Sequence, residues 1–148
     1  MTEVSKLGPS ARRAIFEALV AMAWADTRLE REEILAVQAA GRLFDLPDDA
    51  LDALDSGPPG VDQIAHDDLN VRERELVYLC AAWLSSVDGH ESEGEQGLLA
   101  ELREPLGIDP VRATALRDDA RVLHATVPAS MAWWEELERL IESAASSL

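Results

Sequence analysis

The chain contains one cysteine, Cys80, in 148 residues. An internal disulfide and a thiolate metal cage are both excluded by that count. Cys80 lies in the apolar run Leu79-Cys80-Ala81-Ala82-Trp83, where a small buried hydrophobe is expected. Basic residues are also few, thirteen Lys and Arg against twenty-nine Asp and Glu, for a net charge of −16. The deficit is spread along the chain, at −5 over residues 1–60, −7 over 61–100 and −4 over 101–148. With no basic third to neutralise phosphates, the composition argues against binding a nucleic-acid backbone. It equally disfavours attraction to an anionic membrane surface. No apolar stretch approaches the roughly 20 residues that span a bilayer, and no basic region followed by an apolar core opens the chain. A cytoplasmic location is the expectation.

Catalytic constellations are missing too. There is no Gly-rich phosphate loop, no Ser nucleophile elbow and no Ser-His-Asp set. His66, His90 and His124 are scattered, without the spacing of a zinc site. The expectation is a non-enzyme. No segment alternates apolar and polar residues long enough for a half-buried strand, while Ala and Leu dominate. The fold class read from this pattern is all-α.

What is present is a succession of helical patterns. Residues 1–8 read as a flexible lead. Pro9 opens a helix whose stripe is Ile15, Ala18, Leu19 and Met22 and which ends near Asp26. A second helix spans about 30–44, with Ile34, Val37 and Leu43 among its core candidates, and a short third starts at Pro47. Ser56-Gly57-Pro58-Pro59-Gly60 is a clear breaker, so 57–60 reads as a linker. Asn70 is an N-cap for a long helix from Val71 to about Val87. Ser92 caps a helix running to about Arg103 and closed by Pro105-Leu106-Gly107. Asp109-Pro110 starts another, to about Leu123, and a last helix follows Pro128 with Trp133, Leu137, Leu140, Ile141 and Ala144 on one side. The total is about seven or eight helices in one domain over residues 9–148.

An ungapped shift of 62 residues organises this succession. It superimposes Ile15, Ala18, Leu19 and Met22 on Val77, Cys80, Ala81 and Leu84, and continues through Val37 on Leu99 to Leu54 on Leu116. It also maps Asp26 onto Asp88 and Glu33 onto Glu95. The spacing predicts an internal pseudo-twofold repeat, with one copy over about 11–56 and the other over about 71–123.

The repeated signature is an apolar helix end, then Asp, then Glu seven residues later inside the next helix. Its copies are Ala25-Asp26-Thr27-Arg28-Leu29-Glu30-Arg31-Glu32-Glu33 and Val87-Asp88-Gly89-His90-Glu91-Ser92-Glu93-Gly94-Glu95. This pattern resembles the TerB-like (tellurite-resistance) family, in which a helix ends in Ala-Asp-Gly and a Glu lies on the first turn of the next helix, twice in an all-helical fold. The resemblance covers about residues 11–120. The first copy departs from it at Thr27, where Gly is expected. The resemblance implies a cytoplasmic stress-response module presenting an acidic surface that takes divalent cations. Related domains also serve as adaptors beside chaperone-recruiting segments.

Two readings of the acidic corners stand side by side. In the first, Asp26, Glu33, Asp88 and Glu95 supply oxygen ligands to Ca²⁺ or Mg²⁺, with Glu30, Glu91 and Glu93 adding charge nearby. A calcium EF-hand does not describe the second corner. Counting from Asp88, Glu93 stands where Gly is required and Leu99 where the bidentate Glu is required. In the second reading the same residues are structural. Ser92 and Glu95 have capping-box spacing, Asp88 fits an Asx-type turn, and first-turn carboxylates complement the helix dipole. The partners that such an acidic surface favours are divalent cations or a basic protein surface. The −16 charge also serves solubility alone.

The alternative function is a protein-interaction adaptor, co-chaperone-like or a signalling scaffold, in which the acidic motifs are only caps. Its contact residues would be Trp133 and Trp134, which point about 100° apart on a helix and belong to the type enriched at interface hot spots. Trp24 and Trp83 read as core.

Overall fold

The computed structural model of the chain describes residues 9–24, 37, 38, 40, 41, 69–86, 93–126 and 133–146. Within them every element is an α-helix and no strand occurs: α1 (Pro9–Ala23), α2 (Val71–Ser86), α3 (Glu93–Leu106), α4 (Pro110–Thr126) and α5 (Trp133–Ser146). Residues 37, 38, 40 and 41 are also helical. The lead over residues 1–8, the helix starting at Pro47 and the linker at 57–60 lie outside the described residues.

The centre of the fold is α2, against which α1, α3, α4 and α5 all pack. Its sequence explains that position. Ten consecutive residues, Leu76 through Ser85, are buried, so the helix has no wet side after its first turn. A helix that is apolar all round belongs inside a core. Trp83 and Tyr78 are the largest side chains wholly enclosed there. In α1 the predicted stripe of Ile15, Ala18, Leu19 and Met22 is buried, but so are Ala14, Phe16, Val20 and Ala21. Arg13, which is exposed, pairs with Glu17 one turn on at 2.9 Å. That contact contributes only a few tenths of a kcal/mol.

The helix starts follow the chemistry of their first residues. At α2, the Glu73 amide donates to Asn70 Oδ1 at 2.8 Å and the Asn70 amide donates back to Glu73 Oε1 at 3.0 Å. This is a reciprocal capping box, satisfying two amides that have no partner within the helix. At α4, the Arg112 amide donates to Asp109 Oδ1 at 2.9 Å, and Pro110 takes the first helical position, where its missing N–H costs nothing.

The end of α3 corrects the predicted boundary. The helix runs through Pro105 to Leu106 rather than stopping near Arg103. Leu99, Leu102 and Leu106 are all buried on one stripe, which holds the last turn against the core despite the proline. Closure comes at Gly107, with φ at +70°. The Ile108 amide donates to the Arg103 carbonyl at 3.2 Å and the Gly107 amide to the Glu104 carbonyl at 3.0 Å. Together these bonds form a Schellman motif. A Cβ built on Gly107 would meet only Arg74 Nη1, at 3.8 Å, so substitution there is strained by backbone conformation rather than by crowding. Gly107→Ala is expected to cost about 1–2 kcal/mol in chemical denaturation, and Gly107→Asn less. Equal stability of the alanine variant would show that the turn does not need a left-handed residue.

Across the α2–α4 contact, Arg112 Nε and Nη2 both donate to one Glu75 oxygen, at 3.1 and 2.8 Å. This hydrogen bond raises the Arg112 guanidinium pKa above its ordinary value; burial opposes it, and the charges of Glu75, Asp119 and Asp109 add smaller upward effects. Arg112 is 39% exposed, so water screens the pair. Glu75→Gln should cost less than about 1 kcal/mol, and that cost should shrink as salt is added. A cost insensitive to salt would mean that the contact acts by packing.

Candidate functional site

Of the four predicted ligands, only Glu95 falls among the described residues. Asp26, Glu33 and Asp88 lie outside them, as do Glu30 and Glu91. Glu95 is the third residue of α3 and is 2% exposed, whereas Glu93, two residues earlier, is exposed. The helical spacing accounts for the difference. Glu95 leads the stripe Leu99, Leu102 and Leu106, at steps of four, three and four residues. The apolar face that docks α3 on α2 therefore draws the carboxylate inward with it. Its place in the first turn also sets negative charge at the positive end of the helix dipole.

α3 starts at Glu93, the start that a cap at Ser92 requires, although Ser92 itself lies outside the described residues. No group of three or more His, Cys, Asp or Glu side chains that could hold a metal ion occurs among the described residues.

A second buried carboxylate was not anticipated from the sequence. Glu136, in the first turn of α5, is 2% exposed and accepts a hydrogen bond from the Trp83 indole N–H. The signal for its burial was present. Glu136 lies three residues after Trp133 and four before Leu140, on the same stripe as Leu137, Leu140 and Ile141, all of which are buried. Trp83 supplies the complementary need, since an indole N–H is a donor only and seeks an acceptor when enclosed. α5 is thus fastened to α2 by an apolar stripe and by the hydrogen bond from Trp83 to Glu136.

Trp133 and Trp134 are the first two residues of α5, and their side chains lie outside the described part. Trp83 is wholly buried, as expected of a core residue. Trp24 is only partly buried, packed against the edge of the core just past the end of α1.

Cys80 is fully enclosed in α2, and burial pushes its thiol pKa well above the ordinary range. The reactive thiolate form is thereby suppressed. A thiol reagent at pH 8 should modify Cys80 no faster than the protein unfolds, and at the full rate of a free thiol in denaturant. Rapid stoichiometric labelling of the folded protein would contradict this enclosure.

No helix among the described residues is long and apolar enough to cross a membrane. No family model, curated protein or solved structure matches the chain.

Proposed function

We propose that the chain is a non-enzymatic stress-response module, resembling the TerB-like family, whose duplicated acidic helix corners bind divalent cations, Ca²⁺ or Mg²⁺. The ligands are Asp26 and Glu33 at one corner and Asp88 and Glu95 at the other. The observation that carries this reading is the burial of Glu95 at the head of α3 while Glu93 beside it stays in water. A carboxylate held inward next to the corner, in a chain of net charge −16, is the kind of oxygen donor that hard cations select.

The duplication draws support from element starts and core positions. α1 begins at Pro9 and α2 at Val71, 62 residues on. Buried positions pair at the same offset, including Phe16 with Tyr78, Ala18 with Cys80, Val37 with Leu99 and Ala40 with Leu102. Asp26 follows α1 by three residues and Asp88 follows α2 by two.

The test is calorimetric titration of the metal-free protein with Ca²⁺, Mg²⁺, Mn²⁺ and Zn²⁺, repeated on Asp88→Asn/Glu95→Gln. The reading expects binding in the micromolar range for the native chain, lost in the double variant while the helical circular dichroism persists. Binding no tighter than millimolar would leave these residues as helix caps.

A second reading, the interaction adaptor, is favoured by one observation: α3 begins where a Ser92 cap would start it. Its contacts would be an apolar groove and the helix carrying Trp133 and Trp134, with the acidic motifs serving only as helix caps; a basic protein surface is the alternative to a divalent cation at the acidic corners of the first reading. Pull-down of partners unchanged by Trp133→Ala and Trp134→Ala would count against it.

A further inference from the structure

We draw no further inference here: the strongest candidate, the exposed side of α4 on which Val111 and Val122 stand three turns apart with Asp118 between them, is a patch that nothing in the structure shows to be covered by any particular partner.

Discussion

Replacing Trp83 by Ala should lower the stability of the protein by roughly 3–5 kcal/mol, the range found when a buried aromatic ring is deleted from a core. Two effects combine in that loss. The ring is wholly enclosed in α2, the helix that every other labelled helix touches, so its removal leaves a cavity at the centre. The substitution also takes the indole donor away from Glu136, whose carboxylate is buried on α5. The two effects separate with smaller changes. Trp83→Phe retains most of the ring and removes the N–H, at a cost of about 1–3 kcal/mol. Glu136→Leu keeps the volume of the side chain and removes the acceptor. In a double-mutant cycle of Trp83→Phe with Glu136→Leu, followed by urea denaturation, a coupling of about 1 kcal/mol or more is expected. A coupling near zero would mean that α5 is held by Leu137, Leu140 and Ile141 alone. A fall in midpoint without a change in denaturant slope would identify the loss as stability rather than a change in compactness.

That contact also marks a limit of what a sequence discloses. The burial of Glu136 was legible from its spacing to Leu140, and an acceptor for Trp83 was a chemical requirement. Their pairing was not legible, because 53 residues separate them and only the docking of α5 on α2 brings them together. Glu95 differs in this respect. Its place above Leu99, Leu102 and Leu106 is a matter of local helical period, so its inward position could be read from the chain alone. What surrounds its carboxylate is a matter of tertiary packing, and no local period dictates that.

The helices themselves were more legible at their starts than at their ends. Asn70 and Asp109 act through side-chain bonds from amides three residues on, and Pro110 through its fixed φ at the first helical position, and the observed starts of α2 and α4 follow from them. Ends depend on what the last turn packs against. α3 outlasts its predicted stop by three residues because Leu106 is buried and Gly107 closes the turn, so tertiary burial outweighs the local cost of Pro105. In the opposite direction, α1 ends at Ala23 rather than near Asp26. The stripe template also underestimated α1 and α2, since it assumes one wet face and both helices are enclosed on nearly every side.

Enclosure on that scale makes a second large effect expected, this time from adding atoms. Ala11, Ala14, Ala18 and Ala21 recur along α1 at steps of three, four and three residues, and all are buried. Small side chains let helix axes approach toward the short end of the usual 8–10 Å range, and α1 packs most extensively on α2, where Cys80, Ala81 and Ala82 are also small and enclosed. Ala18→Leu inserts three carbons at a position with no exposed surface. Neighbouring side chains must leave their rotamers or the helices must separate, and the expected cost is about 1–3 kcal/mol. The greater transfer free energy of leucine opposes this loss but needs free space to be realised. Val122→Ala, on the exposed side of α4, serves as the control and should stay within about 0.5 kcal/mol of the native protein. Urea denaturation of both variants checks the comparison. If Ala18→Leu proved neutral or stabilising, a void would have to exist beside Ala18.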